Sequence, residues 1–316
     1  MQAFGFKQFG DPKVFEELTI PKPELKKGRV IVQTSAFAMN PFDSKLRRGL
    51  IPFKKAPNFP LIPGSDVAGT VVDLASDVTE FQIGDPVIGR TTTGSYAEFV
   101  SVPHLKLVHK PDSIPFSEAA GVPNAGVTAY DLLKSALQLE NVTSILVLGG
   151  SGVVGSFVIQ IAKAMGLFVA TTASQKNADF VKKMGVDLFI PTDQLTKRNF
   201  LDDAPVDVLI DATPQAFKGN NTYRWLKSTG QLASLNGFSN SFQSQSSKQT
   251  IIDFNDANYH QNKKALTYLV ELISHNQLKV PIAKVFPFSL KGIVEGQQLL
   301  DTHHSPGKII VAKKTK

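Results

Sequence analysis

The sequence contains no cysteine. That excludes disulfides, thiolate nucleophiles and every cysteine-ligated metal centre. Histidine is scarce as well: there are 6, the first being His104, so residues 1–103 offer neither thiolate nor imidazole to a zinc ion. The paired His303 and His304 have no neighbouring ligand residue in the sequence and read as surface residues, so no metal is expected. Long apolar runs are missing. The longest, such as Ser144–Leu148, are far shorter than the roughly 18–20 residues of a membrane span. Residues Met1-Gln2-Ala3-Phe4-Gly5-Phe6-Lys7 lack the basic start and apolar core of a secretory signal. A cytoplasmic protein without membrane association is therefore expected. Charge of one sign is not concentrated either. The net charge of +7 is spread along the chain. Its local clusters, such as Lys26-Lys27, Lys54-Lys55 and Lys313-Lys314-Thr315-Lys316, are short, and a solvated surface with a basic tail is expected rather than nucleic-acid binding.

What is present is a globular balance of 42% hydrophobic and 19% charged residues, in a chain of 316, long enough for two domains. Residues 1–118 are mainly strand-forming. Arg29–Ser35, Asp66–Leu74 and Tyr96–Val102 are β-branched and aromatic runs. Turns at Pro21-Lys22-Pro23, Pro60–Gly64 and Gly84-Asp85-Pro86 separate them. That spacing predicts a partly open β-barrel.

Near residue 119 the texture changes. Apolar runs of strand length at Ser144–Leu148, Leu167–Thr172, Asp187–Ile190, Val206–Asp211 and Gln231–Leu235 alternate with helix-period segments. Between the first two, Val153, Val154, Phe157, Val158, Ile161, Ala162 and Met165 follow one helical face from Gly152 to Met165. Strand, helix and strand in repetition predict an α/β fold with a doubly wound parallel sheet. Beyond about residue 254 the alternation stops. An amphipathic helix over Lys263–Ser274, a strand over Ile282–Phe288, a helix around Gly292–Leu300 and a strand over Lys308–Val311 are expected to rejoin the barrel. The predicted domains are thus 1–118 with 255–316, and 119–254. The Ser- and Gln-rich Ser239–Ser247 reads as a surface loop.

Gly150-Ser151-Gly152-Val153-Val154-Gly155 is a G-x-G-x-x-G string that follows a predicted strand and opens a predicted helix, the context that makes it a dinucleotide site. The first glycine permits the turn, the second a close approach to pyrophosphate, and the third helix–strand packing. The phosphates would meet N–H groups at a helix N-terminus. No acidic residue stands between Ser151 and Ala178 to bind a free ribose 2′-hydroxyl. Instead the second strand ends in Thr171-Thr172-Ala173-Ser174-Gln175-Lys176-Asn177, which suits a 2′-phosphate. NADPH is the expected cofactor, with Ser174 and either Lys176 or Asn177 on the phosphate. The alternative for Lys176 is a solvated residue at the start of the next helix.

The domain order, together with several strings, resembles the medium-chain dehydrogenase/reductase superfamily over essentially the whole chain. The strings are Asn40-Pro41-Phe42-Asp43, Pro63-Gly64-Ser65-Asp66-Val67-Ala68-Gly69, Gly84-Asp85-Pro86-Val87, Gly94-Ser95-Tyr96-Ala97-Glu98-Phe99, Ala119-Ala120-Gly121-Val122-Pro123 with Thr128-Ala129-Tyr130, and Gly307-Lys308-Ile309-Ile310. The resemblance implies a Rossmann domain and a GroES-like barrel. Zinc members typically read Gly-His-Glu where this chain reads Gly64-Ser65-Asp66, so the chain is similar to the zinc-free quinone oxidoreductase group. An NADPH-dependent reductase of quinones, α,β-unsaturated carbonyls or enoyl thioesters is implied, acting as a homodimer.

By position, the resemblance places Asn40 near the nicotinamide at the domain cleft and makes Asp43, one turn on, a supporting or proton-relay residue. It puts Thr128 and Tyr130 near the cofactor, Asn236, Gly237 and Phe238 on the nicotinamide side, and brings Lys308 in from the returning tail. The alternatives are a turn role for Asn40, helix capping for Asp43 and simple packing for Tyr130. The chain departs from its relatives at Leu50, where many carry a substrate-contacting Tyr, at Val153 in the phosphate loop, at Asn177, where a phosphate-binding Lys is frequent, and at Thr192 in the adenosine site. The competing reading is a non-catalytic NADPH sensor or RNA-binding protein of the same fold.

Overall fold

The apolar strand Ser144–Leu148 is hydrogen-bonded on both sides, to Phe168–Ala173 and to Val206–Asp211. In the computed structural model it belongs to a six-stranded sheet in the order Leu188–Pro191, Phe168–Ala173, Ser144–Leu148, Val206–Asp211, Leu226–Ser234, Thr250–Asp253. Every neighbouring pair is parallel. Numbered along the chain, that order is three-two-one-four-five-six, the doubly wound arrangement. Parallel strands need cover on both faces, and Ile145, Leu146 and Val147 are accordingly 0% exposed. The helix Val153–Ala164 packs its buried Phe157, Val158, Ile161 and Ala162 inward, the face that the repeat of apolar residues predicts.

The structure describes every residue except 93, 197–199, 202–203, 220, 255–257, 259–261, 303–305 and 315–316. His303, His304, the last two residues of the basic tail, and residue 255, where the barrel domain is expected to resume, lie outside the described residues. The chain divides into two compact units, Met1–Asn124 with Asn262–Lys316, and Ala125–Gln261. Among the described residues no helix is long and apolar enough to cross a membrane.

Two features of the second unit differ from the sequence reading. A sixth strand, Thr250–Asp253, pairs with Leu226–Ser234 where five strands are expected. It has only two apolar residues, Ile251 and Ile252, too few for a periodic signal beside a polar loop. The fifth strand also begins at Leu226 rather than Gln231. Its first half, with exposed Lys227, Ser228 and Thr229, is polar because it lies at the surface. Ser239–Ser247 has neither helix nor strand, as expected of a loop.

In the first unit the strand Arg29–Met39 is the organiser. It pairs antiparallel with Asp66–Leu74, Phe99–Pro103 and the carboxy-terminal strand Lys308–Ala312. The sheet continues through Pro86–Arg90 to Leu107–His109 on one side and to Ile282–Pro287 on the other. The register sets Ile309 against Met39. Residues 40 and 308, far apart in sequence, are thereby forced to be neighbours. The helix Pro41–Arg47 starts directly beyond Met39, and the helix Leu290–Asp301 packs against it and against the strands Ile282–Pro287 and Lys308–Ala312.

Candidate active site

The glycine loop of the second unit shows which of its glycines serve the chain and which leave room for a ligand. A Cβ on Gly150 would collide with Thr171 Oγ1, and one on Gly155 would lie 2.5 Å from the Gly149 carbonyl oxygen. Those two positions are filled by the protein's own packing. A Cβ on Gly152 would meet only the Gly149 oxygen, at 3.2 Å, so its outer face is open. Gly152 is also the N-cap of the helix Val153–Ala164. The N–H groups of Val153, Val154 and Gly155 then have no acceptor within the helix, and its dipole is positive there. An open face lined by N–H donors fits a pyrophosphate.

The segment expected to meet the ribose phosphate is tied to this loop. Asn177 Nδ2 donates to Ser151 Oγ at 3.0 Å, and Ser174 precedes the short 3₁₀ turn Gln175–Asn177. Two hydroxyls of the expected phosphate patch are engaged internally: Thr171 donates to the Val147 carbonyl at 2.8 Å, and Thr172 accepts from Gly149 N–H at 3.2 Å. Lys176 is exposed.

Past the fifth strand, Asn236 Nδ2 donates to the Thr213 carbonyl at 2.7 Å. Gly237 needs its positive φ of 70°, and its carbonyl accepts from Ser234 Oγ. The Phe238 ring packs against Phe242 and Phe217 at centroid distances of 4.8 and 6.1 Å. Thr128 is half-buried on the helix Pro123–Asp131, and Tyr130 on the same helix is buried in the apolar interior.

In the first unit a connected polar network lies under the surface. The Asn40 backbone N–H donates to Asp43 Oδ2 at 2.9 Å, so Asp43 caps the helix Pro41–Arg47 through its own third residue. The Asn40 side chain looks elsewhere: its Oδ1 accepts from Lys308 Nζ at 2.6 Å, and its Nδ2 donates to Asp66 Oδ2 at 3.1 Å. Lys308 Nζ also reaches Asp66 Oδ2 at 2.9 Å, the two side chains being 2% and 0% exposed. Asp66 Oδ1 accepts from the Asn124 N–H at 3.0 Å. Each charge is thus compensated by its partner and by neutral donors or acceptors, the condition under which a buried ion pair persists.

Asp43 starts a second chain of contacts. Tyr96 OH donates to Asp43 Oδ2 at 3.0 Å and accepts from Gln297 Nε2 at 3.0 Å. Gln297 Oε1 accepts from Arg47 Nε at 3.1 Å, and Arg47, 0% exposed, is fixed by Asp301 Oδ2 at 2.5 Å and the Gly10 carbonyl at 2.6 Å. Burial is the largest influence on Asp43 and outweighs the hydrogen bonds from Asn40 and Tyr96, so its carboxyl is pushed up to about 7. Burial likewise pushes the Tyr96 phenol well above its usual range. Asp43 Oδ2 takes both donors, while Oδ1 accepts from no described residue. Asp43 forms part of the wall of a pocket of about 500 Å³ within this unit, with Phe42, Phe53, Ser65 and Thr92. Leu50 stands 58% exposed, outside the residues that line this pocket. Among the described residues no three His, Asp or Glu side chains are grouped to hold a metal ion.

Asn40, Asp43 and Lys308, singled out from the sequence, therefore meet in one network. Asp66 and Tyr96 join it without being singled out, although each lies in a string that carries the family resemblance; an acid at the head of an apolar strand is the signal that marks Asp66. Gln297, Arg47 and Asp301 carry no such signal, since helices 250 residues apart bring Gln297 to Arg47.

The sequence matches the family described as alcohol dehydrogenase GroES-like domain over residues 26–112, and that described as zinc-binding dehydrogenase over residues 153–263. It is 32% identical to the 2-methylene-furan-3-one reductase of Solanum lycopersicum and 32% identical to the chloroplastic NADPH-dependent alkenal/one oxidoreductase of Arabidopsis thaliana. Each alignment covers 98% of this chain and 79% of the relative. The solved structure of the quinone oxidoreductase from Coxiella burnetii aligns with a TM-score of 0.82 at 30% identity, covering 99% of both chains.

Proposed function

Because the chain belongs to the medium-chain dehydrogenase/reductase superfamily, in its zinc-free, quinone oxidoreductase-like group, we propose that it is an NADPH-dependent reductase of α,β-unsaturated carbonyl compounds and quinones. The observation that carries this reading is a carboxyl group held near neutrality on the wall of a pocket, in a chain whose other unit has an open glycine cradle. Bound NADPH supplies a hydride to the electrophilic carbon of the acceptor, and one proton completes the reduction.

Asp43 is the source of that proton. At neutral pH a carboxyl of this kind is protonated in about half of the molecules. With Oδ2 occupied by two donors, the proton resides on Oδ1, and it passes to the enolate carbon or hydroquinone oxygen that forms. Asn40 is a cofactor contact whose orientation is fixed from two sides by Lys308 and Asp66, leaving the second Nδ2 hydrogen for the ligand. The backbone of Gly150–Gly155 holds the pyrophosphate. Ser174 and exposed Lys176 take the 2′-phosphate, and Asn177 holds Ser151 in place. Thr128, half-buried, is better placed than buried Tyr130 to reach a ligand. Asn236, Gly237 and Phe238 complete the cofactor contacts. Leu50, on the exposed segment after the helix Pro41–Arg47, would contact the acceptor from outside the pocket.

The reading extends to a homodimer joined through the outer edge of the strand Thr250–Asp253, which among the described residues pairs on one side only, and to a cytoplasmic location. Light scattering and cell fractionation test those two parts. The activity is tested by following NADPH consumption in EDTA against a benzoquinone, an alkenal, an enone and a crotonyl thioester, each repeated with NADH. Turnover of at least one acceptor class, insensitive to EDTA and faster with NADPH, is expected. Tight NADPH binding without turnover of any acceptor would replace the reductase by the sensor reading.

A further inference from the structure

The pocket that Asp43 lines has a second charged side chain, and it is a cation. Arg29, half-buried at the start of the strand Arg29–Met39, lines the same pocket; among the described lining residues only Arg29 and Asp43 carry charged side chains, and the Met1 ammonium, which also lines it, donates to the Ile20 carbonyl at 2.6 Å. The remaining wall is largely apolar, with Phe42, Leu46, Phe53 and Phe99 among its members. The Arg29 guanidinium is held by Ser101: its Nε donates to Ser101 Oγ at 3.0 Å and its Nη2 to the Ser101 carbonyl at 2.9 Å. Ser101 is in turn fixed by strand pairing to Ile31, and its carbonyl also accepts from Thr91 Oγ1 at 3.1 Å. These contacts use the Nε edge. The Nη1 and Nη2 end of the fork keeps three of its hydrogens, and Arg29 makes no ion pair with any described residue.

A guanidinium oriented by neutral acceptors, with its fork end unfilled, in a mostly apolar pocket of drug-like size is built to receive an anion. The planar fork matches a carboxylate through two parallel hydrogen bonds, and with the Met1 ammonium already donating to the Ile20 carbonyl, a singly charged carboxylate leaves less charge uncompensated in this apolar wall than a doubly charged phosphate. We propose that Arg29 anchors the carboxylate of the acceptor, so that the preferred substrates of this enzyme are activated alkenes or quinones with an apolar body and a carboxylate group. The proposal rests on the reductase reading above and names the acceptor class of that same pocket.

The test uses benzoylacrylate and its methyl ester, an activated alkene with and without the carboxylate, as acceptors for the wild-type enzyme and for Arg29→Gln and Arg29→Lys. The readout is the ratio of kcat/KM for the acid to that for the ester. Loss of a charged hydrogen-bonded contact should lower this ratio about 10- to 100-fold in Arg29→Gln, chiefly through KM of the acid. Arg29→Lys, which keeps the charge and loses the fork, should fall between. Should Arg29→Gln not fold, the saturated product acid and its ester are compared as inhibitors of the wild type, where the acid should bind about tenfold more tightly or better. Ester turnover with a ratio that Arg29→Gln leaves unmoved, or equal inhibition by acid and ester, would overturn the anchor and leave the reductase standing. Failure of the wild type to reduce the acid while it turns over a benzoquinone or an enone would likewise overturn the anchor alone; failure with every acceptor would overturn the reductase reading, and with it this one.

Discussion

Replacing Asp43 by Asn separates its proposed catalytic role from its structural one, because the two change in opposite directions. The introduced amide would still accept from Asn40 N–H and Tyr96 OH through its one oxygen, so the helix cap and the contact to Tyr96 survive. It has no proton of suitable acidity, and loss of a general acid costs about 10²- to 10⁴-fold in rate. The stability effect follows from burial. The carboxyl is raised from 3.8 to about 7 in the folded protein, which at about 1.4 kcal/mol per tenfold change corresponds to roughly 4 kcal/mol. The folded state binds the proton more tightly than the unfolded state. The wild type is therefore most stable, as far as this group decides, below its unfolded value of 3.8, and it loses stability as pH rises through the interval up to about 7. Asp43→Asn removes that loss. The substitution should make the protein more stable than the wild type above neutrality, by an amount of order 1 kcal/mol or more, and indifferent at acid pH. Urea unfolding at several pH values and a pH profile of kcat/KM measure both. The wild-type rate should fall as pH rises through about 7, and the inflection should be absent in the variant. A variant that keeps full activity, or a wild-type profile that stays flat across neutrality, would refute Asp43 as the acid.

Further substitutions separate the parts of the site. Lys308→Met leaves Asp66 buried without its cation and should destabilise the protein by about 3–5 kcal/mol, read by denaturant titration; Lys308→Met with Asp66→Asn should recover part of the loss. Lys176→Glu should raise KM for NADPH about 10- to 100-fold and leave that for NADH much less affected, since only the former has the 2′-phosphate; equal effects on both would take Lys176 off the phosphate. Gly152→Ala brings its Cβ to 3.2 Å from the Gly149 oxygen, a contact relieved by a shift of a few tenths of an ångström, and should fold while NADPH binding weakens, whereas Gly155→Ala, whose Cβ would come 2.5 Å from the same oxygen, should be destabilised outright. Thermal melts beside a binding titration distinguish these outcomes.

The strands buried on both faces and the helix after the glycine loop are legible in the sequence because a continuous apolar run or a helical repeat of apolar residues fits few other structures. Asp66–Leu74, Ser144–Leu148 and Val206–Asp211 occur with the bounds expected. The strand Thr250–Asp253 is not legible, because an edge strand needs apolar residues only on its inner side. Of the site, the glycine loop is legible as a string, but the division of labour among its glycines is not; that depends on Thr171 of the next strand. Asn40, Asp43 and Lys308 stand out only as residues that a family places near the cofactor. Their union in one network with Asp66 follows from the antiparallel register of Lys308–Ala312 against Arg29–Met39, which no local pattern encodes. At Asp43 the capping contact does not compete with the proposed proton role, because the cap occupies Oδ2 alone, and at Asn40 the backbone N–H meets that cap while the side chain turns to Lys308.

The most direct test of the central claim is transfer of the label from NADPH deuterated at the transferable position of its nicotinamide to an alkenone. One deuterium on the β-carbon of the saturated ketone, one NADPH consumed for each product formed, and the same result in EDTA are expected. Product without deuterium, or NADPH consumption with the alkene intact, would contradict the claim.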